Sequence, residues 1–420
     1  MKIPNPLLSI GLLAALPILQ ACERSPAWEG TVTDSAGITL VHNPSVPLWG
    51  EDEAWTVTED LRIGTVAGEQ QYQFGTIISL DAAEDGTVYV LDLQARNIRA
   101  YDAQGNYLRT IGGPGGGPGE FSQQTMFVGW HPRGEILVPD LGNQRVHRFA
   151  PEGDLVGSFP IQMQAGVPAR WEVSSDGRTL AQIRGMNLPG MAALEEGDPI
   201  VVFDTTGTVV DTVALLPKGQ TLEGISEQGA QIRVFAPEPL WDVDPAGSIY
   251  YAMNDRYRIL VNDPEGTLAR VITRDVEPKP VEETDRNAIR GLMREQYREF
   301  GVPPAQVEQI MQGVSFADFY PAFGNLFIGP EETLWVQRVQ SARELAAGAE
   351  EEVEFDPRDI VSPEWEIFDA EGRYLGVVTL PDGFIPFTLK GDAMYGIWTD
   401  EMDVQYVMRL RVNRPGREGA

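Results

Sequence analysis

The chain has 420 residues, of which 42% are hydrophobic, so it can bury a sizeable core. Its 44 glycines and 31 prolines indicate many turns between short strands. The 62 acidic and 32 basic residues give a formal net charge of −30, which argues against nucleic acid or anionic lipid as partners through bulk electrostatics. The single cysteine excludes a disulfide within the chain and a thiolate metal cluster.

The amino terminus predicts export and lipid attachment. An apolar run from Leu7 to Leu19 is too short to span a membrane as a helix and fits a secretory signal. The segment that follows, Leu19-Gln20-Ala21-Cys22, resembles the lipobox of bacterial lipoproteins, with a less usual glutamine. The resemblance implies cleavage before Cys22, lipid on this residue and stable membrane anchoring. The alternative is an ordinary signal peptide with a chance cysteine.

These features divide the chain into four parts. We expect a signal peptide at residues 1–21, a tether at 22–29, a folded domain at 30–414 and a C-terminal tail at 415–420. The residue after the cysteine is Glu23 rather than aspartate, which favours the outer membrane in a Gram-negative envelope. The mature chain would then be lipid-anchored in the cell envelope, facing the periplasm or the cell surface.

Short strand-like runs joined by glycine turns recur from residue 77 onward. In three repeats the two turn glycines are 19 residues apart, at positions 86 and 105, 134 and 153, and 247 and 266. β-Branched and aromatic residues fill the runs, which predicts a four-stranded antiparallel sheet for each repeat. Such sheets cover both of their faces when they stack around a common axis. The pattern therefore predicts an all-β propeller.

The turns predict six blades. Glu332 replaces glycine in the turn of the fifth, and the sixth is one strand short. We expect the run Gly37–Val41 to supply the missing strand and close the ring, and seven blades are the alternative if residues 30–64 form more of a blade. The predicted blades lie near residues 77–111, 126–159, 169–216, 239–273, 319–380 and 384–412.

Two segments of the early repeats carry a family resemblance. Gly112–Phe121, followed by Val138–Val146, resembles an NHL repeat, and the wider pattern resembles the six-bladed NHL-like propeller lipoproteins of bacterial envelopes. The resemblance covers most of residues 30–412 and is strongest in the first two blades. It implies the fold but no settled activity. The glycine-rich run lacks the Gly-Lys-Ser/Thr ending of a phosphate loop, and we interpret it as an inter-blade connection.

Three carboxylates share one position on the first strands of their blades: Asp81, Glu172 and Asp242. Each is flanked by apolar residues, so alternation along the strand places the acids on the face opposite to the packed one, towards the central tunnel. Their oxygens could bind Ca²⁺ there, as in propeller lactonases that use a tunnel cation as a Lewis acid. The alternative is a set of solvated or hydrogen-bonded acids without a metal.

Polar residues near the ends of the second strands would form a ring on one face. Asp92 and Asp140 follow the repeat, and we interpret them as hydrogen-bonded within their own loops. Arg184 and Arg338 depart from the repeat, and together with Asn254 they are candidate ligand-binding residues. For the two arginines, a salt bridge between blades is the alternative.

A helical hairpin is predicted between blades four and five, at residues 281–314. The first helix would begin at Thr284 and run to Phe300, and Pro303-Pro304 would begin the second. The first helix has an arginine at every fourth position, which makes a basic stripe of Arg286, Arg290, Arg294 and Arg298. This stripe could bind an anionic ligand or seat a lid over the tunnel. The alternative is docking onto the chain's own acids, such as the loop Glu350–Glu354.

Taken together, these patterns favour a monomeric, envelope-anchored binding or interaction protein without enzymatic activity. No residue set has the spacing that nucleophilic, zinc or redox-cofactor chemistry requires. The expected partners are a membrane, through the N-terminal lipid, and a small ligand or an envelope protein, with no nucleic acid. One alternative is a metal-dependent hydrolase or lactonase with a cation in the propeller tunnel. Another is a scaffold in a lipoprotein complex.

Overall fold

The computed structural model describes residues 28–50, 52–163, 166–185, 194, 196–226, 229–348 and 360–415. Three strands precede the first blade: β1 (Thr31–Ser35), β2 (Ile38–Asn43) and β3 (Thr56–Ile63). Blade one consists of β4 (Ile77–Ala82), β5 (Val88–Asp92), β6 (Asn97–Tyr101) and β7 (Tyr107–Ile111). Blade two consists of β8 (Gly129–His131), β9 (Glu135–Asp140), β10 (Arg145–Phe149) and β11 (Leu155–Pro160).

Blades three to five repeat this antiparallel meander. Blade three consists of β12 (Val167–Val173), β13 (Thr179–Arg184), β14 (Asp198–Phe203) and β15 (Val209–Leu216). After β16 (Leu222–Ser226) and β17 (Gly229–Val234), blade four consists of β18 (Pro239–Val243), β19 (Ile249–Met253), β20 (Arg258–Asn262) and β21 (Leu268–Arg274). After β22 (Val314–Phe316), blade five consists of β23 (Leu326–Ile328), β24 (Leu334–Val339), β25 (Val361–Phe368) and β26 (Tyr374–Thr379).

Blade six takes strands from both ends of the chain. Its first three strands are β27 (Phe384–Lys390), β28 (Ala393–Thr399) and β29 (Gln405–Asn413), and β3 pairs with β29 as the fourth. Within the described part of the chain, three α-helices lie outside the blades: α1 (Glu283–Glu299), α2 (Pro304–Gln312) and α3 (Ala342–Gly348). The prediction of an all-β propeller with six four-stranded blades is confirmed.

Hydrophobic clusters between neighbouring blades hold the ring together. Successive side chains of a strand point to opposite faces, and the inner strands of the blades are apolar at consecutive positions, so each sheet packs against the sheet on either side. One cluster joins blade six to blade one through Tyr395 and Val407 against Val90 and Tyr101. Equivalent clusters fill the other five junctions among the described residues, and the ring is therefore continuous.

The closing strand differs from the predicted one. Gly37–Val41 falls in the β1–β2 hairpin, and β2 pairs in parallel with β21, at the outer edge of blade four. Ring closure is carried out by β3, whose Asp60 accepts hydrogen bonds from Arg409 and Arg411, each at 2.6 Å. Both segments alternate as strands do, so the sequence of either segment alone does not show which one closes the ring. The arginine side chains of β29, the strand that the closing strand joins, favour β3.

The segment between these strands runs along the outer edge of blade five. The backbone amides of Leu48 and Trp49 donate hydrogen bonds to the carbonyls of Tyr374 (3.2 Å) and Leu375 (2.7 Å). Residues 31–63 therefore touch the outer edges of blades four, five and six in turn. We call this segment the belt.

Candidate functional site

The long connections between strands lie at one end of the propeller. In a four-stranded meander, the links between blades and the link from the second to the third strand all lie at the same end. The long links between blade strands are of these two kinds, at residues 64–76, 112–128, 185–197, 217–238, 275–325 and 340–360. We call this end the insertion face. The opposite end carries the short glycine turns, and we call it the turn face. In blade five, Glu332 stands where the other blades have glycine, and it adopts the positive φ (58°) that glycine adopts most easily.

A cavity of about 1290 Å³ opens on the insertion face at the junction of blades four and five. We call it the cleft. The ends of β21 and β24 and the start of β25 form its floor, while the segments around residues 275–279 and 319–322 form its walls. The lining of the cleft includes the side chains of Tyr257, Arg274, Val276, Phe319, Arg338 and Glu366.

The floor of the cleft is a buried charge network centred on Glu366. Its carboxylate accepts hydrogen bonds from Arg274, from Arg338 Nε at 2.9 Å and from the Tyr257 hydroxyl at 2.7 Å. Burial alone would raise the pKa of Glu366, but Arg274, Tyr257 and Arg338 together hold it below its usual value. The carboxylate therefore stays ionised at neutral pH.

Not every hydrogen-bond donor of the floor is taken up by this network. Arg338 Nη1 donates to Glu364 at 2.7 Å. The buried Arg274 Nε has no hydrogen-bond partner within the described part of the chain. Because the two guanidinium groups face two carboxylates, the floor as a whole is electrically balanced.

The walls of the cleft are largely apolar. Phe319 is 53% exposed and Val276 is 38% exposed, so both present hydrophobic surface. Lys279 fixes the segment above the floor, since its Nζ atom donates to the Val339 carbonyl at 2.6 Å and pairs with Glu344 at 2.8 Å. An apolar wall over a balanced polar floor is the composition of many small-molecule sites.

Two of the predicted tunnel acids, Glu172 and Asp242, line a second cavity of about 540 Å³, which reaches the turn face, and the third, Asp81, lies near enough to raise the pKa of Glu172. Arg170 lies between two of them, 4.0 Å from Glu172 and 3.8 Å from Asp242. Enclosure in the tunnel and repulsion from Asp242 raise the pKa of Glu172 to about 8, although 31% of its side chain is still reached from the tunnel. Burial also raises the pKa of Asp242, against the opposing effect of Arg170.

The two tunnel aspartates link neighbouring blades. Asp81 Oδ2 accepts the backbone amide of Trp130 in blade two at 2.6 Å, and Asp242 Oδ2 accepts that of Ile328 in blade five at 2.7 Å. Lys390 lies 3.8 Å from Asp81. Within the described ranges, no group of three or more His, Cys, Asp or Glu side chains is arranged to hold a metal ion. The Ca²⁺ site stays a prediction.

The predicted strand-end residues have separate surroundings. Arg338 lines the cleft, whereas Arg184 pairs with Asp198 at 3.4 Å and with Glu238, just before blade four, at 3.1 Å. The buried Asn254 accepts the Glu238 amide and donates to the Phe323 carbonyl, so it fixes two inter-blade links. The contacts of Arg184 are those of the salt-bridge alternative, and ligand binding by these residues stays a prediction.

The arginines of α1 pair mostly with nearby acids. Arg290 lies 3.2 Å from Glu283, and Arg294 lies 2.9 Å from Glu308 of α2. Arg286 approaches Glu283 and Asp318 at 3.7 and 4.0 Å. Arg298 is exposed and has no ion pair among the described residues. The acidic loop Glu350–Glu354, considered as a docking partner, lies outside the described residues.

Glu366 and Arg274 are not among the site residues that the sequence predicts. Glu366 stands between Trp365 and Ile367 in the buried half of its strand, and a charge between buried apolar residues signals a buried pair. Its partner Arg274 is 92 positions away and has no such signal. Cys22 and the signal segment lie outside the described residues. Among those that are described, no helix is long and apolar enough to cross a membrane.

Comparison with known proteins gives structural neighbours alone. The sequence matches no protein-family model and no curated protein. A Bacteroides fragilis protein whose name describes it as exported is 9% identical, with a TM-score of 0.48 over 89% of this chain and 100% of that one. Virginiamycin B lyase from Staphylococcus aureus is 10% identical, with a TM-score of 0.42 over 85% and 99%. A gluconolactonase from Xanthomonas campestris is 9% identical, with a TM-score of 0.41 over 84% and 98%. The six-bladed assignment therefore rests on the strand pairing of this chain.

Proposed function

We propose that this protein is a binding protein of the cell envelope, without enzymatic activity, and that its ligand occupies the cleft between blades four and five. The observation that carries this proposal is the apolar wall of Phe319 and Val276 above the balanced floor of Arg274, Arg338 and Glu366. A general acid or base works best with a pKa near the ambient pH, and Glu366 is held away from that range. The cleft is therefore better suited to binding than to proton transfer.

The composition of the cleft defines the class of ligand. An ionic ligand would meet a floor whose charges already compensate each other, so no net charge there would offset the cost of desolvating the ligand. A neutral amphipathic molecule would place its apolar side on Phe319 and Val276 and an acceptor oxygen near the partly exposed guanidinium group of Arg338. The chain would hold this ligand at the envelope through lipid on Cys22, at the outer membrane and as a monomer. Residues 281–314 would act as a helical hairpin beside this face, supported by the Arg294–Glu308 pair between α1 and α2.

An uncharged fluorescent probe tests the site. We expect N-phenyl-1-naphthylamine to gain fluorescence on binding the mature chain with a stoichiometry near one. The paired substitution Phe319→Ser and Val276→Ser should weaken binding at least tenfold, because it removes the apolar wall. The matched control is Val209→Ser with Val210→Ser, two exposed valines at the turn-face end of β15. Equal affinity in both variants would place the bound probe outside the cleft and overturn the assignment.

The tunnel carries a second candidate function, a metal-dependent hydrolase or lactonase. The observation that favours it is the raised pKa of Glu172 beside Asp242, since perturbed carboxylates of this kind are common at catalytic sites. Mass spectrometry of the native protein would detect a near-stoichiometric cation that is lost in Asp242→Ala. If Ca²⁺ neither binds nor raises the melting temperature, this mechanism is ruled out and the cleft remains.

A further inference from the structure

The outer half of α1 makes little contact with the propeller. The buried residues of this helix are Asp285 and Ile289, both in its first half. The helix has 17 residues and so is roughly 25 Å long. It starts close to the backbone pair Val281–Asp318 and ends next to Phe300, which is 76% exposed. We call α1, α2 and their connection the arm, and Leu292, Arg298 and Phe300 its tip.

The arm is nearly neutral although the chain is strongly acidic. Between residues 283 and 312 there are four arginines and five carboxylates, a net charge of −1, whereas the whole chain has −30. Arg290 and Arg294 pair with acids of the arm itself, while Arg298 has no ion pair among the described residues. The tip thus combines exposed apolar side chains with Arg298, which stands beside the exposed Glu299. Protein segments that lie at membrane interfaces likewise carry cations next to apolar side chains.

The described chain begins on the same face as the arm. In the parallel pairing of β2 with β21, Asn43 lies beside Arg274, at the end of the strand that borders the cleft. The Trp28 indole donates a hydrogen bond to Asn43 at 3.2 Å, so the chain enters the fold at the insertion face. Cys22 lies six residues before Trp28, a span of at most about 20 Å when fully extended. An anchor on Cys22 would hold this face close to a bilayer.

We propose that the tip of the arm enters the interfacial region of the membrane that carries the N-terminal anchor, so that the insertion face and its cleft face the lipid. This inference rests on the proposed anchor for its orientation and on the exposed tip for its contact. Phe300 and Leu292 transfer apolar surface out of water, and Arg298 remains at the level of the phosphates. Because the arm is nearly neutral, an anionic membrane surface repels it much less than it would repel the rest of the chain.

A depth measurement tests the proposal in the complete mature chain. A fluorophore is attached to Glu299→Cys, beside the intact tip, and in the matched control to Val210→Cys at the turn-face end of β15. The protein is held on phosphatidylethanolamine–phosphatidylglycerol vesicles by its own lipid, which blocks the thiol of Cys22. If mass spectrometry finds no acyl groups, Cys22→Ser with an N-terminal hexahistidine on a nickel-chelating lipid replaces the anchor. A failure of lipidation is thereby separated from a failure of the arm.

We expect nitroxide-labelled lipid to quench the fluorophore at position 299 several-fold more strongly than the one at position 210. Adding Leu292→Ser and Phe300→Ser should abolish most of that difference, because both residues are exposed and their loss leaves the packed fold intact. Equal quenching at the two positions overturns the proposal. So does an unquenched tip that instead crosslinks to a protein in cells, since the arm would then be a protein-docking surface.

Discussion

Blades one and two differ from blade five in what happens at the end of the second strand. In blade two, Asp140 is fully buried and accepts the amides of Ser122, in the link from blade one, and Asn143, in the short link from the second to the third strand. In blade five the equivalent Arg338 has 36% of its side chain exposed and faces the cleft. The same position is thus buried where the link from the second to the third strand is short, and it faces a cavity where that link is long. Departures from the repeat are the better guide to the site.

The largest effect is expected where the irregular blades bury their charges. Glu366→Ala leaves Arg274 buried without its counter-charge, so we expect the free energy of unfolding to fall by about 3–5 kcal/mol in urea denaturation. Replacing the pair together, as Glu366→Leu with Arg274→Met, should recover most of this loss. A loss below about 1 kcal/mol in the single variant would mean that the network contributes little to blade packing.

Asp140→Ala tests the regular blades. It removes a buried carboxylate that accepts hydrogen bonds from the Ser122 amide (2.8 Å), the Asn143 amide (3.0 Å) and Asn143 Nδ2 (2.8 Å). The expected loss is about 2–4 kcal/mol, with unchanged affinity of the cleft for the naphthylamine probe. Weakened probe binding would break the contrast between the two regions.

His147 gives blade two a sensitivity to acid. Burial lowers its pKa below the usual 6.5, and both ring nitrogens are buried without a hydrogen-bond partner in the described residues. The unfolded chain therefore binds the proton first, and stability declines as the pH falls through 6.5. If the pKa of His147 lies one unit below its usual value, the free energy of unfolding at low pH is smaller by about 1.4 kcal/mol. In denaturation at a series of pH values, His147→Leu should flatten this decline, leaving the part due to His131, whose pKa burial also lowers.

The smallest effect is expected in the tunnel, at Glu172. Because its pKa is raised from 4.5 to about 8, the folded chain keeps a proton that the unfolded chain loses, so stability falls as the pH rises between these values. Contact with tunnel solvent makes the fall shallower than full burial would. Glu172→Gln should be nearly neutral at pH 5 and should remove the decline towards pH 8. An unchanged pH profile would show that Glu172 is ionised throughout.

Much of the architecture could be predicted from local signals. The glycine spacing predicted the blades, and strand alternation predicted that Glu172 and Asp242 face the tunnel. The closing strand could not be chosen in this way, because the preference for β3 lies in Arg409 and Arg411 at the other end of the chain. The cleft was missed for the same reason, since Arg274 and Glu366 meet only after blades four and five have packed.

The belt has a consequence for the order in which the chain folds. Residues 56–63 pair with residues 407–413, so the last blade forms only when nearly the whole chain has been made. A chain that emerges N-terminus first must keep β3 unpaired meanwhile, and the loop closed at the end is among the longest the chain allows. Until then β29 is an open edge that another chain could pair with. Loss of the last strands, or of β3, would therefore show itself as aggregation before any effect on probe binding could be measured.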